Sequence, residues 1–122
     1  MNLFLELIII GIIMLIFDSI YLKLLSSFFT KQIEKVQNTP LKINYVGLLL
    51  CYLFLILGLY YFIIKDKKPV LEAFLLGVFV YSVYELTNLA TFTNWKYNIV
   101  ILDTLWGGVL FSMTTYLVYK LV

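Results

Sequence analysis

Apolar and polar positions alternate along this chain in long blocks. The apolar runs cover residues 3–25, 43–64, 70–92 and 99–119. Each is long enough for a helix of about 20 residues to cross a hydrocarbon layer roughly 30 Å thick. The first run has no positive leader and carries Glu6 early; it is also too long for a signal core and lacks a small-residue cleavage site. It is therefore read as a retained first helix and not as a signal peptide. Between the first two runs lies a polar stretch, residues 26–42, containing Pro40. Within it Phe29, Ile33 and Val36 recur at helical spacing, with Lys31, Gln32, Glu34 and Lys35 between them. This pattern predicts a short interfacial helix over residues 27–37, lying on the membrane surface.

The turn Lys65-Asp66-Lys67-Lys68-Pro69 separates the second and third runs. Its proline stops one helix and fits the first turn of the next. A short loop, residues 93–98, precedes the fourth run. Connections this short make successive spans antiparallel neighbours. Tyr60, Tyr61, Trp95, Tyr97, Tyr116 and Tyr119 fall near span ends, where an aromatic belt belongs. The expected architecture is an all-α integral membrane bundle of four antiparallel transmembrane helices, with a short interfacial segment after the first helix and a single domain over residues 1–122.

Composition agrees. Of the 122 residues, 63% are hydrophobic and 13% charged, against about 45–50% and 25% in soluble domains. A mean hydropathy of +1.00 makes the outer surface apolar as well as the interior. In water that would be one continuous sticky patch, so the expected localisation is an integral, multi-pass position in a membrane. All nine basic residues are lysine, scattered between apolar runs, unlike the clustered basic face of a nucleic-acid binder. Four lysines fall on the side of the termini and five on the other, too even to set orientation by charge. The single Cys51 allows no internal disulfide and is expected to be a small buried apolar residue. There is no histidine, which removes His-dependent catalysis and the commonest metal ligand. No metal site and no cofactor are expected.

The informative residues are acids where acids are costly: Asp18, Glu85 and Asp103 lie inside the first, third and fourth runs. A charge at the centre of a bilayer costs at least about 2.5 kcal/mol. With a rise of about 1.5 Å per residue, Asp18 and Glu85 stand roughly 20–25 Å above the end that holds the termini, and Asp103 lies roughly 6–8 Å below the opposite entry. All three fall in one upper layer. Asn44, Tyr21, Asn88, Thr91 and Trp106 reach the same level, and Tyr84 is part of the same stripe as Glu85. The expected inward stripes are Gly11, Leu15, Asp18 and Leu22; Asn44, Gly47, Cys51, Leu55 and Gly58; Gly77, Tyr81, Tyr84, Glu85, Asn88 and Phe92; and Asp103, Trp106, Gly107 and Leu110. Small residues at such spacing allow close helix approach in lipid.

Each feature also has a plain structural explanation. Asp18 could pair with Lys23, Glu85 and Asn88 could join helices, Asp103 could cap a helix start, and Trp106 could anchor in lipid. Coincidence in depth favours a shared site of Asp18, Tyr21, Asn44, Tyr84, Glu85, Asn88, Thr91, Asp103 and Trp106. No lysine or arginine lies deep in the runs to offset the carboxyls. Two chemical uses follow: a seat for a cation or cationic lipid headgroup, or a shared proton suited to acid–base work.

At these residues the chain resembles a known family. The block Glu85-Leu-Thr-Asn-Leu-Ala-Thr91, the following Trp95, and Asp103-Thr-Leu-Trp106-Gly107 are similar to the signature of domain of unknown function 2177, a family of small predicted membrane proteins. Asp18-Ser-Ile-Tyr21-Leu22 resembles its early Asp-x-x-Trp-Leu element. Glu85 stands where the family usually has Asp, and Tyr21 where it usually has Trp. The resemblance implies four helices in one domain and supplies no activity. Three functions therefore stand side by side: a binding or transport-like module for a cation or lipid headgroup, a lipid-modifying enzyme with Glu85 or Asp103 as general base, and a structural or assembly subunit. The expected partners are the bilayer, a lipid or cation ligand and, for a transport version, further copies of the chain.

Overall fold

The computed structural model describes residues 2–39 and 42–121; Pro40 lies outside them. Five helices account for almost all of the described chain: α1 (Leu3–Leu24), α2 (Ser26–Gln37), α3 (Tyr45–Leu59), α4 (Val70–Thr91) and α5 (Tyr97–Leu121). Helix α3 continues as a π-helical segment, Tyr60–Ile64, so that α1, α3 with this extension, α4 and α5 are each long and apolar enough to cross a membrane. These are the four expected spans. The second starts at Tyr45 instead of residue 43, because the Asn44 side chain caps it, accepting the Gly47 amide at 3.1 Å.

The termini of the helices follow local chemistry. Asn2 caps α1 through its side chain, which accepts the Leu5 amide at 2.8 Å. Leu25 leaves helical geometry, and the chain re-enters a helix one residue later as α2. Asn38 ends α2 in the left-handed region at φ 58°, where asparagine is tolerated. Pro69 sits immediately before α4, as its fixed φ allows.

Packing is uneven. Half of the apolar stretch of α5 is buried, against 17–22% for the other three spans. Helix α5 is therefore the hub, with α4 on one side and α1 on another, and α3 packs on α1. The α4–α5 contact is the tightest, and glycines cause it. A β-carbon built on Gly77 would lie 2.1 Å from the Gly107 carbonyl oxygen, and one on Gly107 would lie 2.3 Å from the Tyr81 ring. The two backbones thus touch directly, as small residues permit in lipid. Edge-on packing of Tyr81 against Phe111, with ring centroids 6.3 Å apart, fills the space beside them.

The apolar core lies in the half of the bundle nearer the termini. It gathers Ile10 and Met14 from α1, Leu59, Ile63 and Ile64 from the end of the second span, Ala73 from α4, and Leu110, Phe111 and Val118 from α5. The π segment buries the adjacent pair Ile63 and Ile64 together. Tyr119 locks this end, its hydroxyl donating to the Lys68 carbonyl at 2.7 Å and lying 3.4 Å from that of Ile63. Tyr119→Phe is expected to cost about 1 kcal/mol, visible as faster amide exchange confined to the turn between the second and third spans; exchange unchanged there would refute the lock.

The other end of α3 is different. Tyr45, Val46, Leu49 and Phe54 are about 70% exposed or more; at the core end of α3, Gly58 also faces open space, with nothing within 4 Å of a built β-carbon. The expected inward stripe of α3 is thus corrected: Asn44, Gly47 and Cys51 are exposed, and Cys51 is not a buried filler. On α1, Gly11 and Asp18 do face inward but Leu15 and Leu22 are 42% exposed. The buried face there is Ile10, Met14, Asp18 and Tyr21. On α4, Gly77, Glu85 and Asn88 are buried while Tyr84 and Phe92 face outward. Lipid accepts these apolar side chains as readily as the protein interior does, so no hydrophobic force rotates them inward.

Candidate functional site

Above the apolar core, α1, α4 and α5 each bury one acid: Asp18 is 7% exposed, Glu85 1% and Asp103 8%. Their surroundings are aromatic. The Trp106 indole N–H donates to Asp18 at 2.9 Å, and the Tyr52 hydroxyl donates to the other oxygen of the same carboxylate. The Tyr21 hydroxyl donates to Asp103 at 3.1 Å. The Trp95 indole N–H donates to Glu85 at 2.9 Å. Glu85 and Asp103 stand as neighbours on α4 and α5, the most closely packed pair of helices. Tyr21 and Trp106 stack face to face, with centroids 4.4 Å apart and planes within 2°. This stack ties the Asp18 cluster to the Glu85–Asp103 pair.

The local sequence explains the convergence. Asp18 and Tyr21 are three residues apart on α1, hence on one face. Asp103 and Trp106 repeat that spacing on α5. The two pairs interlock crosswise: the α1 tyrosine reaches the α5 acid, and the α5 tryptophan reaches the α1 acid. Trp95 reaches Glu85 because the turn after α4 folds its ring back over the end of that helix. Asn94 permits this turn by adopting φ 67°.

Of the nine residues singled out in the sequence, the structure brings Asp18, Tyr21, Glu85, Asp103 and Trp106 into this network. Asn88 is buried on the same face of α4 as Glu85, whereas Tyr84 is 58% exposed. Two candidates lie elsewhere. Asn44 is the exposed cap of α3, and the exposed Thr91 hydroxyl bonds back to the Thr87 carbonyl at 2.7 Å. Asp18 bonds Trp106 and Tyr52, not the Lys23 that sequence proximity offered. Two participants were missed as site residues. Tyr52 lies mid-span, away from the belt where tyrosines are expected, and that misplacement was the available signal. Trp95 belongs to the family-like block but read as a belt residue.

The arrangement can hold positive charge, hydrogen-bond a polar headgroup, or share protons. None of the hydrogen bonds recorded to the three acids comes from a lysine. Among the described residues no group of three or more Cys, Asp or Glu side chains is disposed to hold a metal ion. Asp18 stands apart from the Glu85–Asp103 pair, with the Tyr21–Trp106 stack linking the two.

Four apolar spans define an integral, multi-pass membrane protein. A family model for predicted membrane proteins, domain of unknown function 2177, matches residues 3–120. The chain belongs to that family. No curated protein and no solved structure gives a significant match.

Proposed function

We propose that this protein is a membrane-embedded binding module whose acidic–aromatic layer receives the ammonium group of an amine-bearing lipid headgroup. The observation that carries this reading is the burial of three carboxyl groups whose hydrogen-bond partners are neutral indole and phenol groups. Neutral donors orient a carboxylate but do not cancel its charge, and uncompensated charge in a bilayer is costly. An ammonium group would cancel it, and the Tyr52 ring beside Asp18 adds cation–π attraction. The dispersed acids suit an organic cation better than a metal ion, which needs several oxygens converging on one point. Access is lateral: the exposed half of α3 leaves Cys51 open to lipid, next to Tyr52 and its bond to Asp18.

The test is native mass spectrometry of protein exchanged into equal phosphatidylethanolamine and phosphatidylcholine of matched chains. Wild type is expected to retain phosphatidylethanolamine preferentially. Asp18→Asn and Glu85→Gln, which keep shape and lose charge, are expected to lose that preference about ten-fold. A structural role has its own support, since every acid already has a hydrogen-bond donor. Wild type and variants equally bare, in one oligomeric state, would establish that role and reject the binding one. Bound lipid converted to a new mass would point to the enzymatic alternative.

A further inference from the structure

Helix α2 carries a second feature that the acidic layer does not use. Over 22 residues α1 rises roughly 33 Å, about the thickness of the hydrocarbon layer, so α2 begins where lipid headgroups begin. Its apolar side is held down: Phe29 meets the Tyr21 ring at 5.7 Å, and Phe29, Ile33 and Val36 are half-buried. Gln32, only 4% exposed, donates through its side chain to the Asn94 carbonyl. That bond clamps α2 to the loop between α4 and α5 and brings Lys96, two residues further on, opposite the helix.

Between them lies a groove of about 520 Å³. Lys31 and Lys35, one turn apart on α2, line one wall, and Lys96 lines the other; Asn38, Glu34 and Phe28 complete it. All three lysines are exposed. Outside the spans, this end of the bundle carries Lys31, Lys35, Lys42 and Lys96 against Glu34, and the opposite end carries Lys65, Lys67 and Lys68 against Asp66.

We infer that this groove binds the phosphate of an anionic phospholipid headgroup. Three lysines from two separate elements line one groove, and the groove lies at headgroup depth. Lysine serves as a compact point charge for phosphate, and basic residues at a membrane surface attract anionic lipid. This groove is separate from the acidic layer and needs no amine.

The experiment uses the full chain in nanodiscs of equal phosphatidylglycerol and phosphatidylcholine, with lipid retention read by native mass spectrometry. Wild type is expected to keep one phosphatidylglycerol per chain. The combined variant Lys31→Gln, Lys35→Gln, Lys96→Gln is expected to lower its retention roughly a hundred-fold, from the attraction each lysine adds near a membrane. A control, Lys65→Gln, Lys67→Gln, Lys68→Gln, removes equal charge from the opposite end and is expected to keep the lipid. Glu85→Gln is also expected to keep it, which separates this inference from the amine-binding reading. Equal loss in both lysine variants would reduce the effect to bulk charge and overturn the groove. So would retention in both. Displacement of the lipid by excess inorganic phosphate, but not by chloride of equal ionic strength, would support phosphate recognition in the groove; inorganic phosphate bound there by a protein that retains no phosphatidylglycerol would overturn the lipid as its occupant.

Discussion

Gly77→Ala is expected to be the most damaging single-methyl change in this protein. The added carbon would sit 2.1 Å from the Gly107 carbonyl oxygen, 2.6 Å from its carbon and 3.0 Å from the Gly108 α-carbon. All three are backbone atoms of a rigid helix, so no side-chain rotation relieves the clash. Helices α4 and α5 must separate, and they are the closest pair in the bundle. Overpacking of this kind costs about 1–3 kcal/mol and at times more. In lipid the loss of direct packing is not offset by a hydrophobic force drawing the helices together again. The strain also reaches the acidic layer, because Gly77 lies two turns from Glu85 on α4 and Gly107 one turn from Asp103 on α5. Gly58→Ala supplies the contrast. Nothing lies within 4 Å of its added carbon, and alanine favours helix over glycine by roughly 0.5–1 kcal/mol. Equilibrium unfolding in mixed micelles should therefore rank Gly77→Ala far below wild type and Gly58→Ala at or above it. Equal stability of the two variants would contradict the backbone contact.

The second large effect is expected at Asp18. Asp18→Ala removes the acceptor for both the Trp106 indole and the Tyr52 hydroxyl. Leaving a buried donor unsatisfied costs about 1–3 kcal/mol in a protein interior. Hydrogen bonds between membrane helices measure lower, about 0.6 kcal/mol on average and at most about 1.7, because the unfolded chain in the membrane also finds partners. The lower scale governs here, so the loss should total about 1–3 kcal/mol for the two bonds. A double-mutant cycle of Asp18→Ala with Trp106→Phe isolates one of them. Phenylalanine keeps a ring to stack on Tyr21 and lacks only the N–H donor. The expected coupling is about 0.5–1.5 kcal/mol. Strict additivity would mean that the indole and the carboxylate do not interact.

Much of the acidic layer was legible in the sequence, for a geometric reason. Depth along a straight helix is one-dimensional and follows from residue count, so Asp18, Glu85 and Asp103 could be placed at a common height before any packing was known. The i, i+3 pairs Asp18/Tyr21 and Asp103/Trp106 were legible as faces for the same reason. Their crosswise pairing was not, since spacing on one helix says nothing about which group on another helix it meets. Asn44 and Thr91 had the right depth and the wrong chemistry. Asn44 was taken by the cap of α3, and Thr91 by the carbonyl one turn back. Tyr52 was hidden by its apolar neighbours, and Trp95 by the loop whose fold brings it back over Glu85.

By itself the sequence determined the four spans, the short amphipathic helix after the first, the family and the height of the acids, because bilayer thickness and helical rise translate length directly into structure. Tertiary structure decided which helix is the hub, how each helix is rotated and which donor meets each acid. In water an apolar face announces the interior. In a bilayer the outside is apolar too, so Leu15 and Leu22 can face lipid while Ile10 and Met14 face protein. Only the fit of backbones, closest where Gly77 meets Gly107, and the pairing of a few buried polar groups tell one side from the other.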